Sequence, residues 1–307
     1  MHRIVSLLPS ATEIVAALGY EAELVGRSHE CDYPAPVTRL PALTEPKFDT
    51  ERPSAEVDAE VRKIVGEALS VYRVDAARLR ELAPDVIVTQ SQCDVCAVSE
   101  RDVEDAVASW LGARPQIVSL APYALRDIFD DIERVARALG DPRRAAALVG
   151  QLSARMDVVA ARARTIRGRP SVACIEWLDP LMGAGNWMPE MVAMAGGRNL
   201  FGLAGKHSGV MTFDDLCAAN PDVIVVAPCG FGIRRTLEEL PALAARPGWT
   251  ALAAVREGRV FAAEGNQYFN RPGPRIAESL EILAEMIHPE SFKYGYEGPG
   301  WQRIRWH

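Results

Sequence analysis

Three stretches of the chain concentrate groups able to do chemistry. Ser28-His29-Glu30-Cys31-Asp32-Tyr33-Pro34 sets an imidazole, two carboxylates and a thiol side by side. Gln92-Cys93-Asp94-Val95-Cys96 is a CxxC, and Pro228-Cys229-Gly230 and Gly205-Lys206-His207-Ser208 add a further thiol and imidazole. Thiolates with imidazole suit zinc, copper(I) or iron–sulfur ligation. A CxxC also serves as a redox dithiol, and its sulfurs can equally be plain buried thiols. The candidate metal ligands are therefore Cys93, Cys96, Cys31, His29, His207 and Cys229, and zinc is one metal such a set would take. Cys174 and Cys217 fall in an expected strand and helix and read as core fillers.

A second set is aromatic and polar. Trp177, Asn186, Trp187, Tyr268, Phe269 and Arg271 would supply stacking faces and a few fixed polar groups, which suits a planar or macrocyclic small molecule. Trp177 and Trp187 have an alternative use as core plugs. Arg271 or Arg275 could clamp a carboxylate or phosphate, or form a surface ion pair.

The elements that position these residues repeat. Leu82-Ala83-Pro84-Asp85-Val86-Ile87-Val88 precedes Cys93, and Ala219-Asn220-Pro221-Asp222-Val223-Ile224-Val225-Val226 precedes Cys229. Each copy reads as a helix end, a Pro-Asp turn and a strand buried on both faces of a parallel sheet. A strand–loop–helix–Gly unit occurs at Ile4–Gly19 and again at Val172–Gly197, so the chain carries two similar lobes. The first copy has a Pro- and charge-rich insertion at about residues 31–70.

Between the copies, Leu148, Leu152, Met156, Val159, Ala163 and Ile166 lie on one face of a helix. Asp141 reads as its N-cap, Pro142 as its first residue and Gly168 as its stop. About 26 residues at 1.5 Å each make a strut of about 39 Å. The expected fold class is α/β, with parallel-sheet lobes at residues 1–140 and 169–307 joined by one long rigid helix at 141–168. The aromatic tail, with Trp301 and Trp306, is expected to pack on the body or on a second subunit.

In open α/β sheets, ligands sit at the carboxyl ends of the strands. There the loops carry Ser10, Glu13, His29, Cys31, Tyr33, Gln92 and Cys93 in the first lobe. In the second they carry Trp177, Asn186, Trp187, Cys229, Tyr268, Phe269 and Arg271. If the lobes face each other, these loops line one cleft.

Catalytic and cofactor motifs are missing: no GxGxxG after a strand, no P-loop, no GxSxG elbow and no HExxH. The 307 residues are 49% hydrophobic and 24% charged, which is ordinary globular composition, and the net charge of −7 disfavours nucleic acid as a partner. No apolar run approaches the roughly 18 residues of a membrane span. The apolar run after Arg3 ends at Pro9, short of a secretory core, so the chain as it stands is expected in the cytoplasm, or in the periplasm if an export segment has been removed.

One resemblance organises these features. Ile4-Val5-Ser6-Leu7-Leu8-Pro9-Ser10-Ala11-Thr12-Glu13, then Leu24-Val25-Gly26 with Asp32-Tyr33-Pro34, Pro84-Asp85-Val86-Ile87-Val88, Gly196-Gly197-Arg198-Asn199-Leu200-Phe201 and Pro274-Arg275 resemble the vitamin B12 and siderophore substrate-binding proteins of ABC transporters. The resemblance covers about residues 3–287. It implies the class III fold, with two Rossmann-like lobes, one bridging helix and a ligand in the cleft with little hinge closure. It implies no enzyme activity; the alternative is a thiol- or metal-dependent enzyme using the Cys/His groups. The cobalamin-binding subgroup is the most similar, which makes cobalamin, another tetrapyrrole or a metal chelate the expected ligand. Two departures stand out. Thr89-Gln90-Ser91-Gln92-Cys93 lacks the tryptophans of that subgroup. The family's exposed glutamates, which meet a membrane permease, map to Ala77 and Asp214, with Asp75 close to the first, so the docking glutamates are not retained.

Overall fold

The computed structural model describes residues 2–66, 71–92, 98–107 and 115–305. The chain divides into two compact units. Unit 1 comprises Met1–Arg52, Glu56–Pro122 and Arg126–Gln151; unit 2 comprises Pro53–Ala55, Tyr123–Leu125 and Leu152–His307.

In chain order the first elements are β1 (Ile4–Ser6), α1 (Pro9–Ala17), β2 (Leu24–Arg27), β3 (Thr44–Pro46), α2 (Ser54–Gly66), β4 (Tyr72–Val74), α3 (Ala76–Leu82), β5 (Val86–Gln90), α4 (Glu100–Val107), β6 (Gln116–Leu120) and α5 (Leu125–Ala138). The β-branched runs pair in parallel, in the order β2-β1-β5-β6, with Ile4, Val5 and Ser6 beside Val86, Ile87 and Val88. Strand β5 is buried along its whole length, as a run without polar alternation requires. The insertion contributes an antiparallel ribbon, β3 with β4.

Helix α6 (Pro142–Thr165) follows. Leu152, Met156, Val159 and Ala163 are buried on one face of it. The Asp141 carboxylate accepts the Arg143 backbone N–H at 3.3 Å, and Gly168 takes φ +83°, a left-handed geometry that glycine enters without strain.

The remaining elements are β7 (Ser171–Trp177), β8 (Met182–Gly183), α7 (Met188–Met194), β9 (Arg198–Asn199), β10 (Gly209–Val210), α8 (Phe213–Ala219), β11 (Val223–Val226), α9 (Ile233–Ala244), α10 (Ala253–Arg256), β12 (Val260–Ala263), α11 (Ile276–Ile287) and β13 (Trp301–Ile304). Their sheet runs β10-β8-β7-β11-β12-β13, with β9 beside β7. The centre of this sheet is parallel, β7 with β11 and β11 with β12, as the α/β reading expects. β8, β10 and β13 run antiparallel, because a tight reversal and the returning tail reach the sheet without a helical crossover.

The tail packs on the body as far as residue 305; Trp306 lies outside the described residues. Glu285, buried on α11, accepts the backbone N–H groups of Tyr294, Gly295 and Tyr296 and the Trp301 indole N–H, the last at 2.8 Å. Arg155 of α6 donates to Glu281 at 2.6 Å and to Glu278 at 2.8 Å, which holds its guanidinium protonated.

The two repeats share a device. Ala83 (φ +40°) and Asn220 (φ +42°) cap α3 and α8 in the left-handed region. The next aspartate then ties the strand starts together. Asp85 accepts the Arg3 N–H at 2.9 Å, and Asp222 accepts the Ser171 N–H at 2.7 Å. Neutral and cationic donors hold the Asp222 carboxyl below its ordinary range, with the Ser171 N–H the largest contributor.

Candidate functional site

At the carboxyl edge of the unit 1 sheet, hydroxyls meet a thiol. Thr12 on α1 donates to Ser6 Oγ at 2.8 Å, and its Oγ1 lies 3.0 Å from Cys31 Sγ. Ser28 Oγ stands 3.2 Å from the same sulfur. All four residues are buried, Cys31 to 1% exposure. The Cys31 sulfur lies among hydroxyls of its own unit, where a thiol fills space and shares weak hydrogen bonds. Ser10 and Glu13, in the first turns of α1, are buried as well.

His29 is half-buried. Its Nδ1 is 2.8 Å from Thr44 Oγ1, and its ring tilts on Tyr72 with centroids 5.7 Å apart. Burial first, and then Arg27, lower its pKa from 6.5, so the ring is neutral near pH 7. Tyr33 is exposed, at 49%. Gln92 donates through Nε2 to the Pro122 carbonyl. Cys93 and Cys96 lie outside the described residues.

Unit 2 presents a different edge. Trp177 ends β7, half-buried, with its indole N–H on the Asp179 carbonyl at 3.0 Å. Its ring is 5.2 Å from that of Phe231, and the Arg235 guanidinium covers Phe231 at 3.7 Å. Arg235 in turn meets Glu239 at 3.4 Å. The result is a braced aromatic shelf: a cation held over the Phe231 ring fixes the angle at which Trp177 meets it.

Glu176 sits beside this shelf. Burial raises its pKa, and a hydrogen bond from Ser208 opposes that rise. The Ser208 hydroxyl also accepts the Gly185 N–H at 2.9 Å. Gly185 and Gly202 let the 200–208 segment lie directly on the strand backbone, since a Cβ at either would strike main-chain atoms. Below Glu176, a cavity of about 10 Å³, the room of one water molecule, is walled by residues such as Cys174, Met188 and Asn270.

Other expected residues have other places. Asn186 takes φ +51° and is buried, and its Oδ1 has no hydrogen-bond partner. Trp187 (6% exposed), Phe269 (2%) and Arg271 (3%) stand inside the wall. Arg271 donates to Asn266 Oδ1 at 3.2 Å. The Tyr268 ring lies 5.2 Å beneath the Arg275 guanidinium. His207 is exposed, edge-on to Tyr123 at 5.2 Å, and Cys229 is partly exposed, its N–H on the Glu176 carbonyl at 3.1 Å. Cys174 is core, as expected, its thiol pushed up to about 12 by burial.

Among the described residues, no three His, Cys, Asp or Glu side chains gather as a metal-binding group. Two of the six expected metal ligands, Cys93 and Cys96, lie outside the described residues. Likewise, no helix of the described residues is long and apolar enough to cross a membrane. The acidic residues near the expected docking positions serve helix starts: Asp75 accepts the Arg78 N–H at 3.0 Å, and Asp214 lies in the first turn of α8.

Residue types alone did not mark Thr12, Ser28, Phe231, Arg235 or Ser208. Phe231 and Arg235 had a faint signal, an aromatic and a cation shortly after the second repeat.

The sequence pattern of the periplasmic binding protein family matches residues 4–266. The chain belongs to that family. The uncharacterized ABC transporter substrate-binding lipoprotein YvrC of Bacillus subtilis (strain 168) is 25% identical over 299 residues, covering 95% of this chain and 81% of that one. A vitamin B12-binding protein of Vibrio vulnificus (strain CMCP6) is 21% identical over 291 residues, 93% of this chain and 89% of that one. The apo structure of the periplasmic heme-binding protein RhuT from Roseiflexus sp. RS-1 aligns with a TM-score of 0.69 at 25% identity, covering 94% of this chain and 99% of that one.

Proposed function

We propose that this chain is the ligand-capturing component of an ABC importer, working outside the cytoplasmic membrane, and that its ligand is a planar tetrapyrrole, a heme or a corrinoid. One observation carries the reading: the Trp177–Phe231–Arg235 shelf at the carboxyl edge of the unit 2 sheet. A half-exposed indole braced from behind by a second ring and a cation offers a flat apolar face without having to be ordered on binding.

Family membership and the lipoprotein relative support the importer role and favour the extracytoplasmic location over the cytoplasmic one. They also weigh against the thiol enzyme, as does the enclosure of Cys31. The relatives that bind vitamin B12 and heme support a tetrapyrrole over a bare metal ion. No resident cofactor is needed for this role.

The test is equilibrium titration of the purified chain with hemin and with cyanocobalamin, followed by tryptophan quenching and by the visible spectrum of the ligand. Saturable binding of one of them at micromolar or lower concentration is expected. Binding of neither below about 1 mM, equivalent to only about 4 kcal/mol, would refute the ligand class.

A further inference from the structure

The amino edge of the unit 2 sheet carries a second opening. Where α6 ends, Arg162, Arg164, Arg167 and Arg169 fall within eight residues, and no acidic residue lies between Asp157 and Glu176. On a chain of net charge −7 this is a local cationic stretch, and all four side chains are exposed. Beside them, the last turns of α6 and the end of α7 enclose a groove of about 470 Å³. Ala163, Ile166, Ala193 and Met194 give it an apolar floor, and Arg164 and Arg169 line it as well. Among the described residues that line it, none is acidic. Gly196, at φ +84°, closes α7. A Cβ there would lie 2.9 Å from the His288 ring and 3.2 Å from Ala163, so its absence lets the end of α7 lie close against α6. Arg169 reaches the Ala193 carbonyl at 3.5 Å, which fixes one cation at the groove. The groove stands at the start of β7 and the aromatic shelf at its end. The seven residues of that strand, about 20 Å, separate the two.

We propose that this groove is a second binding site, for a single-chain anionic amphiphile: a fatty acid whose carboxylate meets Arg164 and Arg169 while its hydrocarbon lies along Ala163, Ile166, Ala193 and Met194. The chemistry of the lining sets this choice. A floor whose side chains offer neither donors nor charges rewards the burial of hydrocarbon and nothing polar. Two guanidiniums with no carboxylate beside them in the lining reward one anionic group, and their planar forks match a carboxylate. The volume lies within the roughly 300–1,000 Å³ of small-molecule sites and gives room for one chain. The unbranched Met194 thioether adjusts to chains of different length. The site makes no use of Trp177, Phe231 or Arg235, and it stands whether or not the shelf captures a tetrapyrrole.

The probe is sodium decanoate, titrated below its micelle concentration into the chain labelled with ¹³C at its methionine methyls, with calorimetry in parallel. Decanol, the same hydrocarbon without the charge, is the control. One saturating site is expected, with the Met194 methyl shifting and Met194→Leu removing that signal. Decanol should bind about tenfold more weakly, and decanoate should bind about tenfold more weakly to an Arg164→Gln, Arg169→Gln double variant. Ala193→Phe, at an exposed position, fills the groove. It should abolish the Met194 response and leave the hemin and cyanocobalamin titrations unchanged. No decanoate binding below about 1 mM overturns the proposal. So does equal binding of decanol, a Met194 methyl that stays still, or unchanged binding by either variant. Competition between decanoate and hemin or cyanocobalamin would put the fatty acid at the tetrapyrrole site and overturns it too. Binding to phosphatidylglycerol vesicles alone would make the arginines a membrane-facing patch, again overturning it. If neither tetrapyrrole binds while decanoate does, the tetrapyrrole reading has failed and the groove stands.

Discussion

The two units agree at one end of their sheets and part company at the other. At the amino ends of the strands, Asp85 and Asp222 do the same work, each taking a main-chain N–H from the start of the neighbouring strand. At the carboxyl ends, unit 1 turns its polar groups on each other, with Ser6, Thr12, Ser28 and Cys31 closed into one buried network. Unit 2 keeps Trp177 half-exposed and braces it from behind. Repetition preserves the frame, and the chemistry lives where the copies diverge. Being a thiol or an imidazole does not make a side chain available; what matters is whether its own unit has already engaged it.

The sharpest way to break this comparison is cysteine labelling. With a maleimide and peptide mapping, Cys229 should react at least about 100-fold faster than Cys31, which is released only on opening of the native fold. Comparable rates would show that the unit 1 network is open. Next in size is Thr12→Val. It strips a hydroxyl from the buried network and should lower stability by about 2 kcal/mol in urea denaturation, leaving the hemin or cyanocobalamin titration unchanged. Trp177→Ala should do the reverse, with about tenfold weaker binding, about 1.4 kcal/mol, and an unchanged urea midpoint.

The smallest effect is on pH dependence. His29 and His288 both have pKa values lowered by burial from 6.5, so the unfolded chain binds these protons first as the pH falls. Their contribution to stability is complete above about pH 6.5, declines as the pH drops through that value, and levels off once the folded rings protonate too. His29→Gln should flatten the fall in melting temperature between pH 7 and pH 5.

Much of the frame was legible because it rests on periodicity. The burial of β5 and β11 follows from their unbroken β-branched runs, and the face of α6 from the spacing of Leu152, Met156, Val159 and Ala163. The left-handed caps at Ala83 and Asn220 were not legible, since alanine carries no mark of that geometry. Nor was β13, whose place depends on Glu285 catching four donors from the tail. At the site, residue type named Trp177 but not its bracing, because Phe231 and Arg235 matter only through where α9 begins. It named Cys31 but not its surroundings, because the hydroxyls around the sulfur come from three separate segments. The CxxC lies outside the described residues.

The tail has a consequence beyond packing. Strand β13 lies along β12, pairing Val260 through Ala263 with Ile304 through Trp301. Without it, β12 would present an unsatisfied hydrogen-bonding margin to which the same segment of another molecule could add. The carboxylate that grips the tail from α11 therefore also keeps the hydrogen-bonding margin of β12 covered by the chain's own strand.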